Sequence, residues 1–490
     1  MENKSEIQSI TCTVIFDGSA LNRDEKIGNS ILSIKKLTYH GEIRPFISKN
    51  AIRHYLFNTL NRYANWGKTP ILAQGSGDKQ TMQLNLTEAD IISFEELAVF
   101  GYMFTKSGEG ALTRKSPLGI TKAIALSSYN QDLAFYANHD FVHRMQEVGK
   151  KANPNPINKE EHSGLFKLTF TLDADMIGKD SWIVDDFSFD KEKNILNIKI
   201  AEPQEFILGN CKEKLDEDEN VIGYEISEEN NTYQILIDGL NVIVDNKLTK
   251  KAKDNLTFKA DFAYDRSKNS RGTYETKYVF KLASDKYEQL DTNEYFFECS
   301  FEPIFDNEKG TITFLSGHEK KTRNVNCVNY NKEQITNEFN FSNDNYSGCK
   351  IVTTSLNQSK PEKGPFKIDF LLSERKKKEI MQQLLFVIKN GLIAQSSNEL
   401  NTIKPLFILA GDVAVPMPVF HSDIDVIKQN GELKVIGIKD AINNDWLKGN
   451  IYLQCNERLS MAPINNECII SDWNDFLKVI NLEKDESPSH

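Results

Sequence analysis

The chain has 490 residues, 39% of them hydrophobic and 26% charged, with a net charge of −11. That length leaves room for about two to four domains, and the apolar share suffices for a buried core, which excludes wholesale disorder. No run of about 18 apolar residues exists, which excludes a membrane-spanning helix, and the polar start 1–8 has no hydrophobic signal region, so a cytoplasmic location is expected.

Net negative charge argues against indiscriminate nucleic-acid binding. The acid is unevenly placed, however: residues 1–182 hold 21 Lys/Arg against 20 Asp/Glu, whereas 183–365 hold 24 against 33. Seven dispersed cysteines with no CxxC pair read as reduced thiols, not as a disulfide framework or zinc site.

Residues 9–17 alternate β-branched and apolar side chains and predict a strand, followed by a polar loop over 18–28. A short apolar stretch over 31–37 carries Lys35 and Lys36. Ser48 is a good N-cap, Ile47 can staple onto Ile52, and Ile52, Leu56, Leu60 and Tyr63 form the buried stripe of a helix. A second, well-buried helix is predicted over 88–103, then a glycine-rich turn over 107–110. The segment 114–132 begins basic, turns at Pro117 and continues strand-like. Residues 138–163 are polar, basic at the centre and broken by Pro154 and Pro156, which predicts a projecting loop or hairpin. Residues 165–172 alternate as a strand, 183–365 read as an acidic β-rich insertion, and 374–393 are an amphipathic helix. Residues 405–420 hold an apolar strand, and a disordered tail is expected over 483–490.

Three constellations have chemistry suited to a polyanion. Ser19, Asn22, Arg23 and Lys26 in the first loop, with Lys49, Asn50, Arg53 and His54 at the helix start, offer hydroxyls, amides, cations and a helix N-terminus for phosphate contacts. Arg114, Lys115, Ser116 and Lys122, with Thr121, could line a sugar-phosphate path. The 138–163 excursion carries Phe141, Arg144, Met145, Lys150, Lys151 and His162, an apolar wedge among cations able to part stacked bases. Each has a plainer alternative: a solvated loop and helix face, a strand entry with surface lysines, and a flexible excursion. Enzyme templates are missing: no GxxxxGK[ST] loop, no HExxH and no nucleophile elbow, and Gly75-Ser76-Gly77 lacks the rest of a dinucleotide fingerprint. No catalytic residue, metal or cofactor is assigned.

Six segments, in this order, resemble the DevR/Cst branch of the Cas-seven superfamily, the backbone subunit of type I-B CRISPR Cascade complexes. They are FDGSALNRDEKIGNSILSIKKLT (16–38), FISKNAIRHYLFNTL (46–60), LAVFGYMF (97–104), RKSPLGITKAIALSSYNQDLAF (114–135), NPINKEEHSGLFKLTFTLDADMIG (155–178) and ERKKKEIMQQLLFVIKNGL (374–392). The resemblance implies an α+β fold: an RRM-like, ferredoxin-type palm with helical fingers, a projecting thumb loop and, here, a large β-rich inserted domain. It divides the chain into an N-terminal palm part with fingers and thumb (1–182, thumb about 138–163), the insertion (183–365), a C-terminal palm part (366–482) and the tail. It also implies a non-catalytic subunit that binds crRNA and stacks with other copies of itself in a helical filament. Target DNA is met through guide pairing, alongside a Cas-five-type subunit, a large subunit and a guide-processing ribonuclease. Carried over by position, the loop 19–26 and helix start 49–54 would line the guide groove, with Arg114, Lys115, Ser116 and Lys122 on phosphates and 138–162 as the thumb. The acidic insertion departs from the familiar members and is expected to point away from the groove, since its charge would oppose phosphates. A rival implied by type III relatives is a metal-dependent RNA endonuclease using Asp24 in the first loop. A developmental regulator is suggested only by the family's name.

Overall fold

The structure, a computed structural model, describes residues 9–27, 31–74, 81–105, 111–154, 156–200, 204–208, 211–228, 231–238, 241–245, 261–268, 274–281, 287–291, 294–298, 304–316, 320–396, 399–464 and 466–483. The glycine turn 107–110, Gly75 to Gly77 and residues 484–490 of the expected tail lie outside them.

The central sheet contains β1 (Ser9–Ser19), β2 (Lys36–Tyr39), β3 (Glu42–Ile47), β4 (Leu118–Ile120), β5 (Ala123–Ala125), β6 (Ser163–Asp173), β7 (Pro405–Val413), β8 (Leu447–Cys455) and β9 (Ile469–Ile470). They lie in the order β2-β3-β5-β6-β1-β7-β8-β9, with β4 also on β6. β1 is antiparallel to both neighbours, with Phe16 opposite Phe166 and Val14 opposite Ile408. The alternation of β1 then divides its side chains between two faces.

Ile10, Cys12, Val14 and Phe16 enter the larger core, which α1 (Lys49–Ala64) and α2 (Glu374–Asn390) share through Ile52, Leu56, Leu60, Leu384, Leu385 and Ile388. Each such aliphatic side chain contributes about 1.5–3 kcal/mol through burial. Ile15 enters a second core with Phe407, Leu409, Phe420 and Leu453. Beside it, buried threonines meet across the central strands, Thr13 Oγ1 lying 2.7 Å from Thr169 Oγ1. A sheet antiparallel but for the β8–β9 pair, with two helices feeding one core, is an α+β architecture.

The cap expected at Ser48 forms: its Oγ accepts from the Ala51 N–H at 3.2 Å. Tyr63 is exposed, not buried, and stacks on Phe386 of α2 at 4.6 Å between ring centroids. The helix expected over 88–103 is only Glu95–Phe100. Asp90 Oδ1 accepts from the N–H groups of Ile92 and Ser93 and folds the preceding residues into a turn. Gly101, at φ +65, ends the helix; a Cβ there would lie 2.3 Å from the Arg114 carbonyl oxygen. Between α1 and β4 the described residues hold two β-hairpins, Ile71–Gln74 with Thr81–Leu84 and Tyr102–Thr105 with Ala111–Arg114, and this one short helix, where the resemblance implied helical fingers.

The region 183–365 is strand-rich, including Ile195–Lys199, Asn231–Asp238 and Thr311–Ser316. Its base is continuous with the rest of the chain. Lys179–Val184 pairs with Phe366–Leu371, and Trp182, Phe187, Leu196, Ile198, Phe339 and Ile351 belong to the larger core. Lys321 and Arg323 reach buried Asp90 at 3.1 and 3.3 Å, and Arg323 also donates to Ser93 Oγ. No helix among the described residues is long and apolar enough to cross a membrane.

Candidate nucleic-acid interface

β3 runs directly into α1, and β5 pairs with β3 through Ala123 opposite Ile47 and Ile124 opposite Phe46. That register sets Lys122 beside the start of α1, its Nζ 5.0 Å from the Phe46 ring centroid. Lys49, Asn50 and Lys122 are exposed. The first turn of α1 carries no acidic residue, so its positive end is not offset locally. Ser48 satisfies Ala51 N–H, which leaves the N–H groups of Lys49 and Asn50 without intrahelical partners. Two cations, an amide and free backbone donors thus meet at one place, a chemistry suited to a phosphate.

The rest of the helix-start group is committed elsewhere. Arg53 donates to Glu96 at 3.1 Å and lies over the Phe100 ring at 4.6 Å, so its charge is balanced within the fold. His54 Nε2 pairs with the Asn58 amide at 2.9 Å.

The first-loop residues divide similarly. Ser19 closes β1: its N–H donates to Asn401 Oδ1 at 2.9 Å, and its hydroxyl meets Ser163 Oγ at 2.7 Å. Both amide atoms of Asn22 are buried without a partner. Arg23 donates to the Glu160 carbonyl and pairs with Glu161 at 3.3 Å. Lys26 is exposed on the strand Arg23–Ile27.

Arg114 must be withdrawn from the surface. It is only 7% exposed, and its guanidinium donates to the carbonyls of Leu97, Ala98, Met176 and Lys179 beside Asp180 at 3.7 Å. Burial lowers its pKa, and the same cause raises that of Asp180. The Asp180 carboxylate is further held by the Tyr102 hydroxyl at 2.6 Å and the Trp182 indole N–H at 3.2 Å. This network spends Arg114 on packing and leaves no donor for a phosphate. Ser116 likewise donates inward, to the carbonyls of Val99 and Leu118, whereas Lys115 is exposed.

The expected thumb is a hairpin arm with a helical tip. Leu133–Tyr136 pairs with Ile157–Glu160, and His139–Glu147 forms a helix with no buried residue. Phe141 is 60% exposed, and Met145, Lys150 and Lys151 are exposed with it. Arg144 pairs with Asp140 at 2.7 Å and lies over the Phe141 ring. The arm begins before residue 138 and presents Leu133, Phe135 and Tyr136, which the residue-by-residue reading missed; the alternation of LAFY opposite INKE was the available signal. His162 is not on the arm. It packs edge-on against Phe166 at the end of β6, where burial lowers its pKa, and its Nε2 has no partner.

Asp24 pairs with Lys35 at 2.9 Å, and among the described residues no three His, Cys, Asp or Glu side chains gather as a metal site.

The profile of the family described as CRISPR-associated negative auto-regulator DevR/Csa2 matches residues 10–431. Among solved structures, similar chains come from a CRISPR RNA-guided surveillance complex in a pre-nicking state (10% identity, TM-score 0.25, 34% of this chain and 65% of that one) and from a CRISPR RNA-guided surveillance complex (16% identity, TM-score 0.22, 34% of this chain and 51% of that one). This chain thus spans less than two thirds of either. No curated protein matches it. The profile match runs from the second residue of β1 to beyond β7 and so takes in the helix-start site, the arm and the central sheet from β1 to β7: the chain belongs to the CRISPR-associated DevR/Csa2 family.

Proposed function

We propose that the chain is a non-catalytic crRNA-binding backbone subunit of a type I-B Cascade complex, built on an RRM-like palm and acting in the cytoplasm. The observation that carries this reading is the meeting of Lys49, Asn50 and Lys122 at an N-terminal helix turn free of acid. Such a site grips a strand by its phosphates and leaves bases free to pair. The exposed arm supports contact with a neighbouring copy, since unpartnered apolar side chains on a projecting element favour burial by another molecule. Two different surfaces in contact, arm and receiving face, generate an open filament when the rotation does not close. Asp24, the aspartate the endonuclease reading would use, pairs with Lys35 at 2.9 Å.

The test is co-expression with a Cas-five-type subunit, a large subunit, a guide-processing ribonuclease and a guide transcript. A guide of uniform length is expected to co-purify with several copies of this chain. Loss of the transcript at moderate ionic strength would sink the reading. Cleavage of complementary RNA with Mg²⁺, abolished by Asp24→Ala, would replace it with the endonuclease.

A further inference from the structure

Between Ala125 and Phe166, Glu160 is the one buried residue among those described, at 5% exposure. The described residues of the arm itself, 133–160, thus bury no apolar side chain; Leu126, Tyr129 and Leu165, outside it, are only partly buried against the cores. At its root the contacts are backbone pairing and charge. Glu160 Oε2 accepts from the Ile34 N–H at 3.1 Å, and Lys36 Nζ lies 2.7 Å from both carboxylate oxygens. Lys36 also lies over the Tyr129 ring at 4.5 Å. On the other side Arg23 grips the Glu160 carbonyl and the Glu161 carboxylate, and Tyr136 of the arm donates to Glu161 at 3.3 Å. Ile157–Glu160 adds parallel to Ile31–Ile34 through Asn158 opposite Ile31 and Lys159 opposite Leu32, so the carboxylate sits where arm and body exchange their last backbone pairs.

We propose that Glu160 is a positioning residue: its ion pair with the half-buried Lys36 fixes the angle at which the arm leaves the body, and through that angle the spacing of successive copies on a guide. A charge-assisted pair with a backbone donor is directional, whereas an apolar root would tolerate a range of angles. The spacing half of this statement rests on the proposed function; the hinge half does not.

Hydrogen exchange read by mass spectrometry on the full-length chain tests the hinge without RNA. In Glu160→Gln, which keeps an oxygen for Ile34 but loses the charge, amides of 31–36 and 157–160 exchange about tenfold faster while α1 keeps its wild-type rates. Lys36→Met gives the same local pattern. Unchanged rates in both variants overturn the hinge, and so does protection lost throughout α1, which would make Glu160 an ordinary core element. Ribonuclease digestion of the guide-bound assembly reads the spacing: the wild type protects the guide at one interval, and Glu160→Gln retains the guide with that interval blurred. A wild-type interval in Glu160→Gln overturns the positioning role. Failure of the wild type to hold a guide removes the proposed function and leaves the exchange result standing.

Discussion

Ala123 faces Ile47 across β5 and β3, and this one pairing carries Lys122 from a distant stretch of sequence to the first turn of α1. The cations of the candidate interface are therefore placed by the sheet.

Replacing Lys49 and Lys122 together by Gln removes two cations from that turn. Each phosphate neutralised on a single strand contributes about 0.7 to the slope of log K against log salt, so the slope should fall by about 1.4. Guide retention across a salt titration measures it, and the denaturation midpoint should not move, because both side chains are exposed. An unchanged slope would remove the helix-start site from the guide path.

Arg114→Gln should behave in the opposite way. It leaves Asp180 buried without its cation and several carbonyls without a donor. Breaking a buried pair from one side costs about 3–5 kcal/mol. Denaturant unfolding checks this; a stable variant with weakened RNA binding would contradict the inward placement.

Asp90→Asn should loosen the base of the 183–365 region. Lys321 and Arg323 lie within ion-pair distance of the one carboxylate, and their attraction holds its pKa below the usual range despite burial. The group contributes stability above the ordinary aspartate range, lost as pH falls through its lowered folded value. The substitution should expose 320–324 to protease at neutral pH, whereas wild type should open there only in acid.

His421 gives a second pH dependence. Burial and nearby Lys167 lower its pKa from 6.5 to about 4, while its Nδ1 bonds Thr169 Oγ1 at 2.8 Å. The folded state thus prefers the neutral ring and the unfolded chain binds the proton more readily. Stability should be full above pH 6.5 and decline as pH falls from 6.5 toward 4. His421→Gln should flatten that decline in a series of denaturation midpoints.

Short-range signals were legible where the chain dictates its own geometry. β1, β6, α1 with its Ser48 cap and α2 all follow from alternation, helical spacing and capping chemistry. The candidate site was legible at Lys49, Asn50 and Lys122, whose two cations and one amide stay on the surface. It was not legible at Arg114 and Arg53, where a cation in the sequence looks the same whether it faces water or a buried carboxylate. Tyr63 and Asp90 show the same limit: a ring in α2 and two cations more than 200 residues away decide their surroundings. Glu160 gave no signal at all, since nothing local separates it from the half-buried Glu161 beside it.

The facing of Val184 and Phe366 has a consequence for how this chain can change in length. The strands entering and leaving the long middle region are adjacent, so whatever is added or trimmed at its far end closes over the same short gap. Each doubling of a flexible stretch there costs only about 0.6 kcal/mol. The outer part of this region can therefore lengthen or shorten without disturbing the central sheet, provided Phe187, Leu196, Phe339 and Ile351, which fill its floor, are kept.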